Sequence, residues 1–220
     1  MNHAIVAPYS KLTYPIGRVT PTGIDLLGTG FMIRENGLIA TTHHVIGNGG
    51  ANLVICLPNP DASNGYQDLT DTRVNTTPLA VVEIDPLRDI AVLKADIAWD
   101  RPLPVLSSFD DMLLGQPVAI FGYPHCPHGR RAFTLQQAEI GAKVLMGNMG
   151  ILSKHAVINV QARPGQSGSP VVDPASGVVL GMLVGAWVPG PTGLRLGDIN
   201  PYELHQTTHC IGAQHIKDML

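Results

Sequence analysis

The chain has 220 residues, 45% of them hydrophobic and 14% charged, with a formal net charge of −3 and a pI near 6.3. It carries enough apolar material for one large domain or two small ones sharing an interface, and too little charge for a disordered or coiled-coil chain. The acidic balance gives no basis for nucleic-acid binding, and no run of about 18 apolar residues exists to cross a membrane.

Twenty-four glycines and 18 prolines punctuate short β-branched runs, which predicts an all-β sandwich or barrel. Residues 1–14 read as an arm or a first edge strand. Ile16 to Thr20 reads as a short strand and Leu26 to Ile33 as a glycine-bearing one. Glu35-Asn36-Gly37 is a turn, because Asn-Gly accepts positive φ. Leu38 to Thr42 is the next strand, running into His43-His44-Val45. After the turn Asn48-Gly49-Gly50 comes the strand Asn52 to Leu57. Residues 58–78, polar and proline-bearing, read as a long surface loop. Strands resume at Leu79 to Ile84 and, beyond Asp85-Pro86-Leu87-Arg88, at Asp89 to Lys94. Residues 98–110 read as a linker between two halves.

The second half repeats this style. Pro117 to Phe121 is an apolar strand and His125 to Arg131 a polar loop. Ala132 to Val144 and His155 to Gln161 are strands flanking a flexible tip at Met146 to Gly150. Val178 to Trp187 is a further strand, and 188–201 a proline- and glycine-rich loop. Ala213, Ile216 and Leu220 lie at helical spacing, which predicts a short C-terminal helix.

Cys56, Cys126 and Cys210 are odd in number and widely spaced, which argues against a disulfide framework. The N-terminus lacks the charged and apolar regions of a signal peptide. A cytoplasmic protein, or a mature piece of something longer, is the default expectation.

Chemistry concentrates in Pro164-Gly165-Gln166-Ser167-Gly168-Ser169-Pro170. A serine between glycines allows an exposed hydroxyl and a tight backbone whose N–H groups converge. His44 ends an apolar strand, where a side chain reaches a cleft while its backbone stays anchored. Asp89 precedes another apolar run, where a carboxylate can hold one imidazole N–H and leave the other ring nitrogen free to take the Ser167 proton. His43 competes as the base. Strand alternation allows only one of the two adjacent histidines to face the cleft. Alone, each of these residues has an ordinary reading: a turn serine, a half-buried histidine, a turn aspartate.

Together, Gly28-Thr29-Gly30-Phe31, Ile39-Ala40-Thr41-Thr42-His43-His44-Val45, Asp89-Ile90-Ala91-Val92-Leu93-Lys94 and Gly165-Gln166-Ser167-Gly168-Ser169-Pro170 resemble, in order, the motifs of trypsin-like serine peptidases. The nearest branches are the HtrA-like and glutamyl-endopeptidase-like ones, and the resemblance runs from about residue 25 to the end. It implies two six-stranded antiparallel Greek-key β-barrels: an N-terminal one over about 15–100, a linker over 101–110, a C-terminal one over 111–208, and a helix over 211–220. It implies His44 as general base, Asp89 as its orienter, Ser167 as nucleophile, and the N–H groups of Gly165 and Ser167 as the oxyanion hole. A Cβ on Gly165 would crowd the incoming carbonyl oxygen.

Gln166 stands where many trypsin-like zymogens carry an aspartate, so activation by insertion of a new N-terminus is not expected. The pocket for the residue before the cut maps to Gln161 and Ala162 with Val184, Gly185 and Ala186, and more weakly Thr208. None is acidic, and Leu183 replaces the histidine of glutamyl endopeptidases. A small or medium apolar residue before the cut is therefore expected, with substrate adding as a β-strand along Val184 to Ala186. No cofactor or metal is expected. His125, Cys126, His128 and the pair His209-Cys210 match no common zinc spacing. Trp187 is expected near the cleft rim and Arg130-Arg131 on a solvated loop. The partner is a protein or peptide substrate. A catalytically idle scaffold of the same fold, or a protease dedicated to its own precursor or to one partner, are the alternatives.

Overall fold

Runs such as Ile90–Leu93 and Val118–Phe121 carry no polar alternation because both faces of their strands are buried. In the computed structural model, which describes residues 3–47, 49–57, 65–187 and 207–220, successive side chains on these strands enter different cores. Ala91 and Leu93 point into the first barrel, while Ile90 and Val92 point to the interface between barrels. Val118 and Ile120 fill the second barrel, while Ala119 and Phe121 meet that same interface. Three apolar cores result: one inside each barrel and one between them.

The first barrel is β1 (Thr13–Thr20), β2 (Gly23–Arg34), β3 (Leu38–Thr42), β4 (Leu53–Cys56), β5 (Thr76–Asp85) and β6 (Ile90–Ala95), closed in the order β1-β2-β3-β6-β5-β4. The second is β7 (Pro117–Gly122), β8 (Thr134–Asn148), β9 (Ile151–Ile158), β10 (Pro170–Val172), β11 (Val179–Trp187) and β12 (Thr207–Gly212), closed in the order β10-β11-β12-β9-β8-β7. All strand pairs within the barrels are antiparallel. The all-β, double-barrel expectation holds. Among the described residues no helix is long and apolar enough to cross a membrane.

Several local expectations are corrected. The N-terminal arm is a helix, α1 (Val6–Leu12). Ile5, Tyr9 and Leu12 recur at helical spacing and are buried. Tyr9 stacks on Phe121 at 4.7 Å and its hydroxyl donates to the Gly177 carbonyl at 2.9 Å. A segment that enters the first barrel is thus docked on the second. His43 and His44 lie on a short helical turn, α2 (His43–Ile46), so strand alternation does not govern them. In the turn at 35–37 only Gly37 takes positive φ.

The tip at Met146 to Gly150 is a continuous hairpin. β8 runs to Asn148, Met149 and Gly150 turn with φ of 46° and 82°, and β9 starts at Ile151. Its Asn148 side chain donates to the Leu87 carbonyl of the first barrel at 3.0 Å. β12 closes the second barrel with a run that the chain-order reading assigned to no strand. The C-terminal helix shrinks to one turn, α3 (Gln214–Lys217). Within the expected linker, Ser107 N–H donates to the Val179 carbonyl and Val179 N–H to that of Val105. Arg131 is not merely solvated, because its guanidinium donates to the Arg73 carbonyl at 2.9 Å and holds the 65–75 loop. The loop over 188–201 and the Trp187 side chain lie outside the described residues.

Candidate active site

His44 and Asp89 come from α2 and the turn before β6, which the β3–β6 pairing brings together. His44 Nδ1 is 2.6 Å from Asp89 Oδ2, and Asp89 Oδ1 accepts the backbone N–H of His44 at 2.8 Å. The Asp89 carbonyl also accepts the His43 N–H at 3.1 Å. One aspartate therefore fixes both the backbone and the ring of His44. Asp89 does so from a left-handed conformation, φ 57°, which Asp tolerates better than most residues. Of the two candidate bases, His44 is the one bonded to the carboxylate.

Ser167 sits in the turn before β10. The N–H groups of Gln166, Gly168 and Ser169 are tied to the carbonyls of Arg163, Leu183 and Gln166 at 3.1, 2.8 and 2.9 Å. Among the described residues, those of Gly165 and Ser167 are not held in this way, which leaves two donors for a bound oxygen. Gly165 has φ 90°, and a Cβ there would lie 2.6–2.8 Å from the Tyr123 carbonyl, Cys126 Sγ and Pro127 Cδ. Glycine is thus required by the loop packed behind it and by the backbone angle, in addition to the open approach expected on the substrate side. Cys126 packs under this loop; its thiol is pushed up to about 12 by burial. Among the described residues no cluster of three or more His, Cys, Asp or Glu could hold a metal.

The first barrel holds the serine loop directly. Thr29 N–H donates to the Ser167 carbonyl at 2.9 Å, and its hydroxyl donates to the Gly165 carbonyl at 2.7 Å while accepting from Tyr123 N–H at 3.2 Å. Thr41 then donates to the Thr29 carbonyl at 2.7 Å. Gln166 is fully buried; its amide donates to Gln136 Oε1 at 2.6 Å and accepts from Arg163 N–H at 2.7 Å. Sequence reasoning quoted Thr29 within a motif but gave it no role, because its partners lie on the other barrel.

His44, Ser167, Val184, Gly185 and Ala186 line one cleft of about 470 Å³, joined by Met146, His155 and His209. The Ser167 hydroxyl donates to the Val184 carbonyl at 3.0 Å. Gln161 and Ala162 are not among the residues lining this cleft. Gln161 is exposed and bonded to Arg163, while Ala162 N–H donates to the buried Thr208 hydroxyl at 2.9 Å. Leu183 is buried in the second barrel.

A family model, the trypsin-like peptidase domain, matches residues 28–182. The magnetosome formation protease MamE of Paramagnetospirillum magneticum is 26% identical over 192 residues, 80% of this chain and 24% of that protein. A probable periplasmic serine endoprotease DegP-like of Chlamydia trachomatis is 29% identical over 157 residues, 70% of this chain and 27% of that one. The chain spans about a fifth to a quarter of the length of the curated relatives it matches. Among solved structures, the active form of the Rv3671c protease from M. tuberculosis superposes with a TM-score of 0.70 at 21% identity, covering 99% of this chain and 82% of that one. At that identity the likeness speaks for the fold.

Proposed function

The chain belongs to the trypsin-like peptidase domain family, and on that premise we propose that it is a serine endopeptidase with Ser167 as nucleophile, His44 as general base and Asp89 as its orienter. The observation that carries this reading is the His44–Asp89 pair, 2.6 Å apart, on a cleft that Ser167 also lines. Ser167 Oγ attacks the peptide carbonyl and its proton passes to His44 Nε2. The imidazolium is stabilised by Asp89 through Nδ1–H. The tetrahedral oxyanion accepts the N–H groups of Gly165 and Ser167. Collapse breaks the C–N bond, the amine leaves with the proton from His44, and an acyl ester stays on Ser167. Water, deprotonated by His44, then releases the acid and restores the serine.

The residue before the cut is read as small or medium and apolar; of the residues expected around it, Val184, Gly185 and Ala186 line the cleft beside Ser167, while Gln161, Ala162 and Thr208 do not. No carboxylate stands among these residues, and the Thr208 hydroxyl is engaged by Ala162 N–H and the Val160 carbonyl. Cleavage mapping on a peptide library tests this, and dominance of Arg, Lys or Glu before the cut overturns it.

One observation favours the idle-scaffold alternative: the Ser167 hydroxyl is bonded to the Val184 carbonyl rather than to His44. Rotation about χ1 of Ser167 releases it, and catalytic hydrogen bonds of unliganded sites often form only with substrate. Cleavage of a peptide mixture by wild type and by Ser167→Ala separates the readings. Cleavage lost only in the variant supports the peptidase, and none by either supports the scaffold.

A further inference from the structure

The cleft beside Ser167 carries two imidazoles that the proposed peptide hydrolysis does not use. His155 lies on β9 and His209 on β12. The β12–β9 register sets His209 opposite Val157 and Ile211 opposite His155, so the two histidines are diagonal neighbours on one sheet face. Their ring centroids are 6.4 Å apart. His155 is only 8% exposed. Among the described residues, each ring leaves its Nδ1 buried without a hydrogen-bond partner. Buried polar atoms are rarely left this way.

The neighbouring strand gives access to them. Gly185 on β11 pairs with His209 and so shares its face of the sheet. Among the described residues, a Cβ at Gly185 would meet nothing within 4 Å. A side chain of a peptide laid along Val184–Ala186 therefore has open space above Gly185, with the two imidazoles at its edge.

We propose that His155 and His209 form a subsite that reads a carboxylate side chain on the second, third or fourth residue before the cut. This is distinct from the apolar pocket for the residue at the cut, and it rests on the peptidase reading only for where the substrate backbone lies. An imidazole flip about χ2 exchanges a buried nitrogen for a ring carbon, so an entering acceptor draws an N–H to the cleft side. Two N–H groups match the two oxygens of a carboxylate.

The surrounding charge discriminates sign. No carboxylate is among the described residues that line the cleft. Burial first, then His209 on β12 and His215 on α3, make proton uptake by His155 harder and hold it down at about 4. His215 itself faces Arg88 and Lys154, offset in part by Asp85 and Asp218, and its Nε2 accepts the Lys154 N–H at 3.1 Å. The third cleft imidazole, His44, is engaged by Asp89. A substrate carboxylate favours proton uptake by these imidazoles and accepts their N–H groups, whereas a lysine or arginine side chain opposes it.

The test uses the full chain carrying Ser167→Ala and fluorescent peptides with a small apolar residue before the cut and Glu, Gln or Lys at each of the three positions in turn. The expected result is binding about tenfold tighter for Glu than Gln at one position, weakest for Lys, with the Glu/Gln ratio larger at pH 6 than at pH 8. The ratio falls to about one in His155→Gln/His209→Gln, whose fold is checked by circular dichroism and by a cooperative thermal melt. Single variants retaining either histidine serve if the double variant does not fold. Equal binding of Glu and Gln everywhere, or a Glu preference that survives loss of both histidines, overturns the proposal. Cleavage by the native serine form is read separately: Glu-selective binding without cleavage leaves the subsite standing and sinks the peptidase reading.

Discussion

The Thr29 hydroxyl donates to the Gly165 carbonyl at 2.7 Å, so a residue of the first barrel fixes the loop that carries Ser167 in the second. The same oxygen accepts Tyr123 N–H at 3.2 Å, and both contacts are buried. Replacing Thr29 by valine keeps the shape, leaves the buried Tyr123 N–H unpaired and leaves the Gly165 carbonyl only the weak Cys126 thiol at 3.9 Å. Urea unfolding should show a loss of about 1–3 kcal/mol. kcat should fall more than KM rises, because the displaced loop holds the proposed oxyanion donors rather than the ground-state substrate.

Asp89→Asn should leave the fold intact, since Asn also tolerates positive φ. It removes the acceptor that keeps the proton on His44 Nδ1. A drop in kcat of about 10³–10⁴-fold is expected, with little change in KM for a good peptide substrate. Activity within tenfold of wild type would show that Asp89 does not orient the base.

Gly168→Ala should fail in the fold before it fails in chemistry. Gly168 has φ 87°, and an added Cβ would overlap the Thr29 carbonyl and lie 2.6 Å from Thr41 Oγ1. Strain and overpacking together should lower stability by about 2–6 kcal/mol. Thermal melts and expression in the soluble fraction read this directly.

The buried His155 gives the protein an acid-sensitive limb. Burial first, then His209 and His215, lower its folded-state pKa to about 4, below the roughly 6.5 of an unfolded histidine. Between those values the unfolded chain binds the proton and the folded chain does not. Stability should therefore hold above about pH 6.5 and fall as the pH drops towards 4. His209 and His215, also lowered chiefly by burial, act in the same sense. Urea titrations across pH 4–8 should show a shallower acid limb for His155→Leu than for wild type.

What could be read from the sequence divides by range. The His44, Asp89 and Ser167 motifs and the barrel class were legible because each motif is a local run flanked by β-branched residues. The choice of His44 over His43 rested on strand alternation and on its place in the histidine motif; the first ground does not hold, because both residues sit on a helical turn, and the Asp89 carboxylate bonds the His44 ring. α1 was missed because Pro8 reads as a breaker, although proline is tolerated in a first helical turn. β12 was missed because Thr207–Gly212 follows a long polar stretch and has little apolar alternation. The Thr29 bridge, the Gln166–Gln136 contact and the His155–His209 pair join residues far apart in the chain, so only the closed barrels reveal them.

The central claim, Ser167 activated by His44, is met most directly by labelling the purified protein with a fluorophosphonate probe and mapping the adduct by mass spectrometry. The account predicts a single adduct on Ser167, absent in Ser167→Ala and formed at least a hundredfold more slowly in His44→Ala. A folded wild-type protein that takes no label, or one labelled equally fast without His44, would contradict it.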